Sequence, residues 1–443
     1  MTPAQPTDAD PRGRFLRAET SPEETAAVVR AALLAGGDPQ PWEPAATTAE
    51  SYAGALDGAL AAAAAHAIEA GDEESAAAAL AAELEALPPH ERRAAVETDR
   101  RYHTWALAAA LRQASLDACT EDPHRAVELA RLALAALDGA ADGEAAGGPV
   151  AERTAADLRA LTLAQLANAE RVASDLRAAD RTFARAFAAA ESGTGDPLVR
   201  ARLQSLVASL RADQSRFAEA VGLARRAARG YRRLGDAHAY GRTLLKQATF
   251  HAHGDELDEA CTVLGEAVRH VDAAAEPRLV FAARHNRAYY LDSLGLAPQA
   301  EAELAAAEPF CAAPLDRVRV TWLRGRIALH RALAEGGDTA AGEADLWRAR
   351  EAFLEHGIGY TAALVSLELA VLYAEQGRSG DMRRLAEEMV PIFASRDVHD
   401  EARAALRLWV EAARAQSAGV ALVRDVAAYL ERARRHPDLR FEP

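Results

Sequence analysis

Thirteen His, three Cys and 66 Asp and Glu give this 443-residue chain the raw material for acid–base or metal chemistry, and their spacing decides what they can do. The tightest histidine pair, His251 and His253, is separated by one alanine. On a helix, residues two apart point about 200° from each other, so the pair cannot share one ion. His253 and His285 could approach across neighbouring helices, but no Asp or Glu pair completes a metal or acid–base site with them. Cys119, Cys261 and Cys311 stand alone in sequence, with no CxxC pair and no disulfide framework, and read as small buried apolar groups. No GxSxG, HExxH, P-loop or strand-borne GxGxxG motif is present. These absences point to a chain that is not an enzyme and carries no cofactor or metal. The densest cationic run, Arg225, Arg226, Arg229, Arg232 and Arg233, could meet phosphate or RNA, but Tyr231 is the one aromatic within it, short of the interleaved set that base stacking uses.

The elements that must carry these residues are helices. Half of the chain is hydrophobic by count, yet aromatics make up only 5% and alanine supplies much of the rest, a composition suited to closely packed helices. A net charge of −15 favours solubility and disfavours general affinity for nucleic acid or anionic membrane. The opening residues lack a charged region followed by an apolar stretch, and no long apolar run free of charge follows, so a soluble cytoplasmic protein is expected.

Residues 1–13, rich in Pro, Asp and Thr, read as a disordered tail. Ser21-Pro22-Glu23-Glu24 then supplies an N-cap, a first-position Pro and early carboxylates, opening a helix that Gly36-Gly37-Asp38-Pro39 ends. This segment with its linker covers 14–47. An Ala-rich hairpin and connector occupies 48–99, with helices expected over 50–70 and 73–87 and a longer one from near His90. From about residue 100 to 443 the chain repeats. Small first-helix residues Ala167, Ala208, Ala248 and Ala288 recur at separations of 41, 40 and 40. Twelve positions after each stand Ala179, Ala220, Ala260 and Ala300; then Phe183, Ala224, Leu264 and Leu304; then Ala186, Ala227, Ala267 and Ala307. An earlier second-helix copy has Ala126, Ala130 and Ala133, and looser later copies centre on Gly325 and Ala370. Small side chains at these places let two antiparallel helices approach closely while larger ones fill the flanking gaps. One hairpin cannot bury its apolar face alone, so successive hairpins must stack. The longest interruption, Gly139 to Pro149, reads as a mobile loop.

The small, small, large, small offsets resemble those of tetratricopeptide repeats, with a period near 40 in place of the usual 34 or so. The resemblance implies an all-α, right-handed superhelix of antiparallel helix pairs, preceded by a short helical segment, with first helices lining an inner groove. Its groove positions, carried onto this chain, are Asn168 and Arg171; Arg202, Ser205 and Ser209; Arg242, Lys246, Thr249 and His253; His285, Asn286, Tyr289 and Asp292; and Arg319, Trp322, Arg326 and His330. Such a basic and aromatic surface in an acidic protein suits an acidic peptide, a carboxylate terminus or a partner protein. Of the carboxylate-clamp pattern, Asn168, Arg242 and Lys246 match by type, whereas Ala164 and Leu206 do not. Arg14-Phe15-Leu16-Arg17 with Val28-Val29-Arg30 and Leu33-Leu34-Ala35-Gly36 resembles the zinc-binding helix region of anti-sigma-factor domains. The His and Cys-x-x-Cys ligands are missing here, since the chain reads Ala31-Ala32 and Gly37-Asp38-Pro39-Gln40, so no zinc is expected. Together these resemblances imply a bacterial scaffold or regulator in transcriptional or signalling control, with a sigma factor or signalling protein as a partner. Phosphate or RNA binding by the arginine run is the alternative.

Overall fold

A computed structural model describes residues 73, 75–141, 148–389, 400–414 and 419–435, and these divide between two units, Met1–Val199 and Arg200–Pro443. The expected anti-sigma-like segment and the first Ala-rich helix lie outside the described residues. In the first unit, helical residues 75–86 precede α1 (Pro89–Thr98), α2 (Trp105–Ala118), α3 (Pro123–Ala141), α4 (Gly148–Val172) and α5 (Leu176–Glu191). The long helix expected from His90 is therefore one of ten residues. Helix α3 runs through Gly139 to Ala141, and Gly148 and Pro149 already belong to α4, so both ends of the expected loop are helical.

The unit boundary falls within the first turn of α6 (Pro197–Asp213), and the second unit continues through α7 (Phe217–Leu234), α8 (Ala237–His253), α9 (Leu257–Ala267), α10 (Pro277–Ser293) and α11 (Ala297–Ala307). It is completed by α12 (Pro314–Glu335), α13 (Ala340–Glu355), α14 (Gly359–Glu375), α15 (Ser379–Met389), α16 (Asp400–Arg414) and α17 (Val420–Arg435). No strand occurs among the described residues. Consecutive helices pack as pairs: α2 with α3, α4 with α5, α8 with α9, α10 with α11, and α12 with α13. The chain is thus an all-α helical-repeat protein, and none of its described helices is long and apolar enough to cross a membrane.

Sequence explains both the crossings and the turns. Ala167, Ala208, Ala248 and Ala288 are fully buried, as are Ala179, Ala220, Ala260 and Ala300 in the second helices. In the second unit, Ala208 packs with Ala220 and Ala224, and Ala248 with Ala260 and Leu264. The turn inside each pair repeats as well. Ser174, Ser215, Asp255, Gly295, Gly336 and Gly377 all have positive φ, at separations of 41, 40, 40, 41 and 41. At all six of these turns, the amide after the left-handed residue bonds a carbonyl five residues back, as from Asp175 to Glu170, Glu256 to His251 and Leu296 to Leu291. This closes each first helix with a Schellman-type cap. Asp175 and Asp236 then cap the next helices, accepting from the amides of Ala178 and Ala239 at 2.9 and 2.8 Å.

Two departures shape the second unit. Helix α12 has 22 residues, and its close crossing is Gly325 against Gly342, where a Cβ on Gly325 would lie 3.0 Å from the Gly342 carbonyl oxygen. At the C-terminal end α17, and not α16, packs against α14, while α16 packs against α15. The Tyr360 hydroxyl donates to the Leu430 carbonyl at 2.6 Å and Arg424 pairs with Glu375, so α17 runs antiparallel to α14.

Candidate functional site

A cavity of about 1000 Å³ opens in the second unit, among α8, α10, α12 and the start of α14. Helix α10 supplies one wall because Phe281, His285 and Tyr289 follow one another at four-residue steps and so lie along one face. Helix α12 supplies Asp316, Arg319 and Trp322 at three-residue steps, and Phe353 enters from α13 behind them. The rings brace each other. Tyr289 and Trp322 have centroids 5.7 Å apart, Trp322 and Phe353 stand edge to face at 6.3 Å, and Phe281 lies 5.5 Å from the His285 ring. Such contacts hold the rings as fixed walls.

The polar groups in the lining differ in availability. Asp316 is buried and accepts from the Ala313 amide at 3.0 Å, serving as a cap for α12, with the Arg319 guanidinium at 3.4 Å. Glu276 pairs with Arg242 at 3.2 Å. Burial holds the His285 imidazole below its ordinary pKa, and its Nε2 lies 3.4 Å from the Arg319 carbonyl. A neutral imidazole in that position acts as a polar wall and not as a cation. Arg278 is exposed, while Asn286 and Arg319 are half-buried, so donors remain on the accessible part of the lining.

Of the residues expected in a groove, His253, His285, Asn286, Tyr289 and Trp322 come together in this cavity, with Thr249 and Arg319. Arg326 lies one turn further along α12 and faces a sealed network. Its side chain is 8% exposed, its Nε donates to Asp292 at 2.8 Å, Ser293 Oγ is 3.2 Å away and Glu368 is 3.5 Å away. The guanidinium carbon sits 4.3 Å from the Tyr289 ring centroid, and Trp322 donates its indole N–H to Glu368 at 2.9 Å. His330 Nδ1 approaches both Asp292 oxygens, at 3.0 and 3.1 Å. This network fixes Tyr289 and Trp322 from behind and borders a second cavity of about 520 Å³ between α12, α14 and α17.

The remaining expected residues lie elsewhere. Lys246 reaches the Ser205 hydroxyl at 3.3 Å, and Arg242 and Arg202 are exposed on α8 and α6. Asn168 and Arg171 belong to the first unit, where Arg171 donates to the Asn168 carbonyl oxygen at 3.0 Å and the Asn168 amide lies 3.9 Å from Cys119 Sγ. Phe281, Phe353 and Ile358 were absent from the groove register. The four-residue step from Phe281 to His285 could have revealed the first, whereas Phe353 sits on a second helix that the register does not sample.

Cys119 and Cys261 are buried, and burial raises their thiol pKa values, that of Cys261 to about 11. Neither is primed for nucleophilic attack. Among the described residues, no group of three or more His, Cys, Asp or Glu could hold a metal ion.

No family model matches the chain, and no curated protein matches it in sequence. Among solved structures, one similar chain is a Rap protein complexed with competence and sporulation factor. The match has a TM-score of 0.46 and 13% identity, covering 74% of this chain and 92% of that one. At this distance the comparison leaves the site to be read from its own geometry.

Proposed function

We propose that the second unit is a non-enzymatic recognition module that takes an acidic peptide, or the tail of a partner protein, in the cavity between α8, α10 and α12. One observation carries this reading: a cavity of about 1000 Å³ is walled by Phe281, Tyr289, Trp322 and Phe353, and Asn286, Arg278 and Arg319 also line it. The size and mixture suit one bulky apolar side chain together with a short stretch of backbone. The carboxylates in the lining are engaged by Arg242, by Arg319 and by the α12 cap, which leaves Arg278 and the Asn286 amide to meet an incoming carboxylate or backbone carbonyl. Binding of this kind fits a regulator that sequesters a signalling or transcription protein.

Selection from a displayed random-peptide library with free C-termini tests the reading. Enriched peptides should carry a bulky apolar residue beside an acidic residue or the terminus. Truncating Asn286 and Arg278 to Ala together should weaken the selected peptide by about tenfold or more, at roughly 1 kcal/mol for each hydrogen bond lost. Ala282→Trp, which fills the cavity, should abolish binding. Failure to enrich any sequence, or full affinity in the filled variant, would overturn the proposal.

A further inference from the structure

The cationic run on α7 becomes informative once its surroundings are known. Ala220, Ala224, Ala227 and Tyr231 bury the opposite side of this helix, leaving Arg225, Arg226, Arg229 and Arg233 exposed. None of these four pairs with a described residue. Several other arginines of the second unit carry their counter-charges with them: Arg284 and Arg287 share Glu303, Arg331 meets Glu301, Arg324 meets Glu308, and Arg378 meets Glu343. The α7 face is therefore a local excess of positive charge on an acidic chain.

Two neighbouring features show what would cover it. Gly222, Arg226, Arg229 and Arg233 follow steps of four, three and four residues and share one face. At Gly222 an added Cβ would meet only the Arg226 guanidinium, at 3.9 Å, so a partner backbone can approach closely there. At the other end Leu234 is 41% exposed, one of five large apolar side chains left open among the described residues. We propose that this face docks an acidic amphipathic helix of a partner protein, distinct from the peptide taken by the cavity. Carboxylates at i, i+3 and i+7 on such a helix repeat the spacing of the arginines, about 10 Å from Arg226 to Arg233 at 1.5 Å per residue, and one apolar residue beside them covers Leu234. Nucleic acid fits less well. The face offers no aromatic ring for stacking, and a net charge of −15 gives a long polyanion no general attraction.

The probe is a short, end-blocked, fluorescent helical peptide with Glu at those positions and one adjacent Leu, titrated by anisotropy into the full chain. Controls carry Gln for Glu, or Gln for Leu, and a single-stranded uridine oligonucleotide serves as competitor. The acidic peptide should bind in a salt-sensitive way. Affinity should fall by about tenfold in the exposed triple variant Arg226→Glu, Arg229→Glu, Arg233→Glu, and by about threefold in Leu234→Ser, in line with small individual contributions from exposed pairs. The charge-reversed chain should instead gain binding to the Lys counterpart of the peptide, and its circular dichroism should be unchanged. Equal binding of the Gln-for-Glu control would overturn the proposal, as would indifference to the triple reversal. So would indifference to Leu234→Ser with the oligonucleotide bound as tightly as the peptide, which would mark a general polyanion surface.

Discussion

The two units share an alanine template at their helix crossings but fill the remaining space with different side chains. In the first unit, Leu84, Leu107, Leu111, Leu129, Leu132 and Leu137 pack around Ala108, Ala133 and Ala136, with Tyr102 a ring in that cluster. From α10 onward the second unit buries Phe281, Tyr289, Trp322, Phe353, Tyr373, Trp409 and Tyr429. Flexible aliphatic side chains can settle into the gaps beside small residues, whereas planar rings need partners at fixed angles and leave space where those partners run out. In this chain that space is the cavity, and the Arg326 network keeps its walls in place.

The strongest way to break this comparison is to disturb the network behind the rings. Arg326→Leu would leave Asp292, whose side chain is 1% exposed, without its guanidinium partner. Losing one member of a buried ion pair costs about 3–5 kcal/mol, which chemical denaturation should register. Overpacking the crossings ranks next. Ala167→Leu in the first unit and Gly325→Ala in the second should each cost about 1–3 kcal/mol, because both positions are closed by neighbouring atoms. A site with spare room should behave differently: Ala282→Trp, at the cavity, should change stability by no more than about 1 kcal/mol. A loss as large as that at Ala167 would erase the distinction between filled and open regions.

His285 gives a smaller, pH-dependent effect. Burial lowers its pKa in the folded chain, so the unfolded chain binds the proton more readily. Its contribution should disfavour the fold as pH drops below the unfolded value of about 6.5, by no more than about 1.4 kcal/mol per pH unit, and level off below the folded pKa. His285→Gln should remove that part of the acid sensitivity in denaturation curves measured across this range.

The alanine positions were legible because close approach restricts residue size at every crossing, and the period carried over to the positive-φ turn residues. The site was legible only in outline. The first-helix register included His285, Asn286, Tyr289 and Trp322, which line the cavity, but treated Arg326 as the same kind of residue. Its acidic partner Asp292 lies 34 positions earlier in the chain, and Glu368 belongs to the following first helix. Sequence spacing gave no means of pairing them. Phe353 was missed because it reaches the cavity from a second helix, and the longer α12 moved the glycine crossing away from the template.

The most direct measurement of the central claim is photo-crosslinking of a library-selected peptide whose apolar residue is replaced by a diazirine analogue, followed by peptide mapping of the adduct. If the side chain enters the cavity, adducts should fall on α10 and α12, at residues such as Phe281, Ala282 and Trp322, and should disappear in Ala282→Trp. Adducts confined to α7 or to the first unit, persisting in the filled variant, would contradict the account.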